Sequence, residues 1–177
     1  MLLKLENLIN TFSDWLGKIA AILLILLLLN VFIDVVMRYL FNDVSIAMQE
    51  MEWHLFSAMF MLGVSYSLRQ NGHVRVDLIY ERLSPQKRAW INIFGVLIFL
   101  LPFTLLVAWF SFGYVHESFL LNEQSGDPGG LPYRYLIKAV IPAAFISMAI
   151  SGIGLLLHSI NILRGVHTED DFEKVTP

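Results

Sequence analysis

The run IAAILLILLLLNVFIDVVMRYL, residues 19–40, restricts what this chain can fold into more than any other feature. About 20 residues at 1.5 Å each cross the ~30 Å hydrocarbon of a bilayer, so such a run reads as a membrane helix. Similar stretches recur downstream, and 56% of the 177 residues are hydrophobic against 15% charged. A water-soluble domain of this size could not bury several of them. The segment before the run is fairly polar, and no small-residue cleavage pattern follows it. A retained first helix is therefore expected rather than a cleaved leader.

Four spans are predicted within a single membrane domain, 1–177. The first covers about 19–37, with Trp15 and Tyr39 flanking it at the depth amphipathic aromatics prefer. The second covers about 48–68 and is the least apolar, carrying Glu50, Glu52 and His54 in its opening turns. The third covers about 89–114. Ser84-Pro85 suits its start, as a serine cap followed by a proline at the first helical position, where no hydrogen bond is forgone, and Pro102 predicts a kink in mid-span. The fourth covers about 135–163, with Pro142 in its first turns.

Basic residues in short loops set orientation. The loop between spans two and three carries Arg69, Arg75, Arg82, Lys87 and Arg88, five of the twelve Lys and Arg residues. The loop between spans three and four carries Glu117, Glu123 and Asp127, with Arg134 its only basic residue. The first loop is expected in the cytoplasm and the second outside, which places both termini inside. A second pattern runs through the cytoplasmic loop. Val76, Ile79, Tyr80 and Leu83 share one helical face, and Arg75, Asp77, Glu81 and Arg82 the other. A short amphipathic helix over about 74–83, lying in the inner interface, is expected; an ordinary solvated loop is the alternative. The fold class is thus an all-α membrane protein of four transmembrane helices, N-in/C-in, with an interfacial helix.

The chemistry is sparse. Cysteine is absent, which excludes disulfides and thiolate sites. There is no phosphate-cradling glycine loop, no nucleophile elbow and no zincin helix, so no enzyme is expected. The basic residues form no stripe for nucleic acid. His54 and His158 fall at opposite depths and cannot share a haem iron, which argues against a membrane anchor for a redox enzyme, the alternative reading. No charge lies at mid-span, where a self-sufficient proton-coupled exporter would need one.

The carboxylates near the span ends say more. Asp34 and Arg38 stand four apart, in the order that favours a helical ion pair. Mutual neutralisation near the headgroups is one reading, and a polar contact to another subunit is the other. Glu50 and Glu52 point to different faces, so at least one meets protein or headgroups rather than lipid.

RYLFN (38–42), QEMEW (49–53), Leu62-Gly63, GHVRVD (72–77), LPY (131–133) and Ile141-Pro142 occur in an order and spacing that resemble the small membrane subunit, DctQ-type, of tripartite ATP-independent periplasmic (TRAP) transporters. The resemblance covers roughly residues 15–163, with GHVRVD its most specific piece, and it is closer to stand-alone small subunits than to fused ones. It implies a bacterial inner-membrane, multi-pass protein that forms a heterodimer with a large elevator-type permease subunit. A periplasmic substrate-binding protein would deliver an organic acid, and sodium would couple to the large subunit, so no cofactor is expected here. Arg38, Glu50, Trp53, Arg75 and Asp77 fall on family-pattern positions. With Asp34 and Glu52 they are the candidate contacts to a partner subunit or to phospholipid.

Overall fold

A computed structural model describes residues 2–70 and 83–166. The expected interfacial helix, with Arg75 and Asp77, lies outside these residues apart from Leu83. Every regular element among the described residues is helical: α1 Leu2–Leu40, α2 Ile46–Arg69, α3 Pro85–Leu120 and α4 Tyr135–Leu163. By length and composition α1, α3 and α4 are apolar enough to cross a membrane. The expected second span, α2, does not join them on composition, because its Gln49, Glu50, Glu52, His54 and three serines dilute the apolar residues.

α1 starts at Leu2, well ahead of the span expected from about Ile19, and its 39 residues reach about 58 Å. No proline interrupts Leu2–Lys18, and Glu6, Ile9, Ser13 and Leu16, spaced by three and four, are its buried face. Polar residues between them disguise that face in the sequence. Gly17 is required inside this helix because the Tyr66 ring lies against it, and a Cβ there would stand 2.6 Å from a ring carbon.

Ser45 caps α2, its hydroxyl accepting from the Met48 amide at 3.3 Å. Pro85 opens α3 directly after Ser84, as expected, but the Ser84 hydroxyl makes no capping hydrogen bond. The kink expected at Pro102 is a π turn over Val96–Leu100, just ahead of it, in which the Leu101 amide donates to the Val96 carbonyl. Proline lacks the amide that would continue the α pattern; two residues on, the Thr104 hydroxyl donates to the carbonyl of Leu100, four residues back, at 2.8 Å.

Three helix pairs run antiparallel. Along α1 and α2, Asn30 Nδ2 donates to the Met48 carbonyl at 2.9 Å, while Gly63 faces Ala20 and Tyr66 faces Gly17. Along α1 and α4, Ser13 meets Ser151 at 2.8 Å and Ile9 lies against Gly154. Along α3 and α4, Leu100 lies against Gly152, and the Phe103 and Phe145 rings meet edge to face at 5.9 Å. α4 packs on all three other helices, whereas α3 packs substantially on α4 alone among the described residues.

The interior inverts the soluble pattern. Ser13, Ser65, Thr104, Ser147, Ser151 and Ser159 are buried, together with Ala144, Ala149, Gly152 and Gly154. Ile22, Ile25, Leu28, Phe32, Phe99 and Trp109 face outward. Small residues let backbones approach closely where dispersion, rather than water, drives helix association. Several buried hydroxyls are satisfied by their own helix: Ser147 donates to the Ala143 carbonyl at 2.7 Å and Ser159 to that of Leu155 at 2.9 Å. An exterior of this kind is stable only against lipid or another apolar surface.

Candidate functional site

Glu50 ties three donors together at one end of the helix bundle. It lies in the first turns of α2, 7% exposed. Its Oε1 accepts from the Ser125 hydroxyl at 2.5 Å and from Arg134 Nη2 at 3.2 Å, and its Oε2 accepts from the Leu131 amide at 2.6 Å. Both oxygens are thus used, by donors from the segment that joins α3 to α4. That segment is folded to reach them. Ser125 and Leu131 are bridged by a backbone bond of 3.1 Å, and Glu123 and Arg134 by one of 3.0 Å. Between them Gly129 turns the chain at φ +83°, and a Cβ on Gly130 would strike Ser125 and stand 2.8 Å from Glu50 Oε2. Only glycine leaves the carboxylate room to reach Leu131. Tyr133 closes the segment with φ +61°, an uncommon conformation for a residue with a bulky side chain.

A second tie lies one helical turn along. Lys138 pairs with Glu123 and stands over the Tyr114 ring, 4.0 Å from its centre. The Lys138 ammonium, hydrogen-bonded to it, holds the Glu123 carboxyl below its ordinary 4.5. Arg134 lies 6.0 Å from the centre of the Trp53 ring, and Trp53 in turn contacts His54. His54 Nδ1 donates to the Glu50 carbonyl at 2.6 Å.

The opposite end of the bundle carries its own buried acid, which sequence reasoning missed. Glu6 is 3% exposed. Its Oε1 accepts from His158 Nδ1 at 2.7 Å and its Oε2 from Asn161 Nδ2 at 2.6 Å, joining α1 to α4. Asp14 and Arg69 pair nearby and join α1 to the last turn of α2. The signal for Glu6 was the helical spacing through Ile9, Ser13 and Leu16; the signal for the Glu50 partners was the turn sequence SGDPGG at 125–130.

The structure places the remaining candidates as follows. Arg38 Nη2 donates to Asp34 Oδ2 at 2.5 Å within α1; Asp34 is buried, and Arg38 is more exposed. Glu52 is half-buried and Trp53 exposed, so of the two α2 acids it is Glu50 that turns inward. Arg75 and Asp77 lie outside the described residues. No group of three His, Asp or Glu side chains among the described residues is arranged to hold a metal ion. His54 and His158 sit at opposite ends, each engaged locally.

Long apolar helices with small, hydroxylic interfaces and acids tied off at both ends define an all-helical membrane protein. Over residues 27–161 the chain matches the family described as tripartite ATP-independent periplasmic transporters, DctQ component, and it belongs to that family. A Haemophilus influenzae protein named as a TRAP transporter small permease is 29% identical over 135 residues, which cover 74% of this chain and 83% of that one. The chain is thus a TRAP transporter small subunit by family.

Proposed function

We propose that this chain is a non-catalytic stator: it steadies the scaffold of a large elevator-type permease subunit during sodium-coupled, binding-protein-dependent uptake of an organic acid across the bacterial inner membrane. The family match carries the reading. The geometry supports it, because each buried acid described above is satisfied by groups of this same chain, at the ends of helices rather than at mid-span. A substrate or ion path needs polar groups within the membrane that are left to bind cargo. An elevator, by contrast, needs a neighbour that resists movement.

In this reading all four helices cross the bilayer. α2 qualifies by length, since 24 residues reach about 36 Å, and by its antiparallel packing along α1. The basic loop between α2 and α3 then lies inside, with both termini, and the Glu50 tie faces the periplasm. The heterodimer with the large subunit would present the exposed apolar faces of α1 or α3 to it.

The test is reconstitution. Vesicles containing this chain alone should take up no organic acid. Uptake should appear when the large subunit, a binding protein and a sodium gradient are added, and should fall when this chain is left out. Uptake by the chain alone would overturn the reading.

A further inference from the structure

Because α3 packs on α4 and not on α2, a groove opens between α2 and α3, with α4 as its floor and a volume of about 270 Å³. Its inner part is apolar, formed by Met61, Ile137 and Ile141 beside Ser57. Its mouth is charged, with Glu123, Arg134 and Lys138 in one cluster. Trp53 and Tyr114 form the side walls, the residue types that settle where a bilayer turns from hydrocarbon to headgroup.

The charges at the mouth define what fits. Arg134 and Lys138 bring two cations, and Glu123 and Glu50 two carboxylates, so the cluster is neutral as a whole. The two acids are not equivalent. Both Glu50 oxygens are taken by Ser125, Leu131 and Arg134, while Glu123 accepts from Lys138 through Oε2 and has the Ser118 hydroxyl beside it. Lysine carries three donors and arginine five, more than these pairs consume. The mouth therefore offers donors to an anion beside a carboxylate for a cation. The groove below holds roughly nine water-sized volumes, enough for part of one hydrocarbon chain and too little for two.

We propose that this groove seats one acyl chain of a zwitterionic phospholipid, with the lipid phosphate at Arg134 and Lys138 and its ammonium at Glu123. A net anionic headgroup would place its uncompensated charge beside Glu123. A free phosphate would leave the apolar floor uncovered. The inference requires only that the chain lies in a bilayer; it stands or falls separately from the transporter reading.

Native mass spectrometry of the full chain in detergent tests it, with 1-palmitoyl-2-oleoyl-phosphatidylethanolamine as the probe. The comparison ligands are phosphatidylglycerol of the same chains, dioleoylglycerol and inorganic phosphate. One phosphatidylethanolamine per chain should be retained, with the other three held about tenfold more weakly or not at all. Ile141→Trp, which fills the floor, and Lys138→Gln, which removes the cation, should each weaken retention by about tenfold. Lys138→Arg keeps the charge and the Glu123 pair and should retain the lipid, which keeps the test open if the glutamine variant fails to fold. Equal retention of dioleoylglycerol would mean a merely greasy surface and overturn the proposal. So would preference for phosphatidylglycerol, capture of phosphate alone, or indifference to Ile141→Trp.

Discussion

The carboxylate of Glu50 and the backbone amide of Leu131 stand 2.6 Å apart although 81 residues separate them. A side chain on one helix thereby closes a turn between two others. Replacing it should release the turn rather than the bundle. Glu50→Ala should speed proteolytic cleavage within 121–134 by roughly an order of magnitude, since local opening governs such cleavage, while the helices stay protected. Unchanged cleavage would mean the turn holds itself.

The Glu6 tie predicts a different failure. His158 and Asn161 both reach it from α4, so Glu6→Ala removes the acceptor they now share. A loss of about 2–3 kcal/mol is expected for buried bonds to a charged group, read by unfolding in detergent micelles. A variant as stable as the parent would show that this end of α1 is held by apolar contact alone.

Gly152 lies where any Cβ would strike Leu100. Gly152→Val should therefore cost about 1–3 kcal/mol through overpacking. Adding Leu100→Ala to the same chain should recover much of it, because the two changes meet at one point of the α3–α4 contact. Strict additivity of the two would argue against that contact.

Asp34 is buried and satisfied within α1 by Arg38. Arg38→Ala strands a buried carboxylate and should destabilise the chain by about 1–3 kcal/mol, whereas Asp34→Asn with Arg38→Ala should regain most of that. The double variant should also co-purify normally with a large subunit. If it does not, Arg38 lies at the subunit boundary.

Glu123 supplies a pH dependence. Its carboxyl is held below the ordinary 4.5 by Lys138, so the pair contributes fully above that value and is lost as pH falls through the depressed one. Thermal stability of the parent and Glu123→Gln should differ near neutral pH and converge only below 4.5. A gap that persists in strong acid would contradict the assignment.

The apolar spans were legible because a bilayer helix announces itself by length and greasiness alone. The start of α1 was not. Lys4, Glu6, Asn7, Asn10 and Asp14 dilute the segment, and its burial depends on α4, which lies 120 residues and more away in sequence. Likewise Glu50 could be singled out as an acid that must avoid lipid, but its donors are a hydroxyl, an amide and a guanidinium brought together by a turn. Pro102 forecast a distortion; that it takes the form of a π turn over Val96–Leu100 was not visible from the proline itself. The Asp34–Arg38 pair needed only i,i+4 spacing and was accordingly the easiest contact to foresee.

The dominance of α4 in the packing bears on how the protein comes to be made. Ribosomes deliver α1, α2 and α3 first, yet among the described residues α3 leans substantially on α4 alone. α1 and α2 can pair as soon as both have inserted, whereas α3 must wait in lipid until Tyr135–Leu163 emerges. The arrival of α4 thus completes the packing of α3, so a translation halted short of it would leave a paired hairpin and a third helix adrift in the membrane, open to the cell's quality-control proteases.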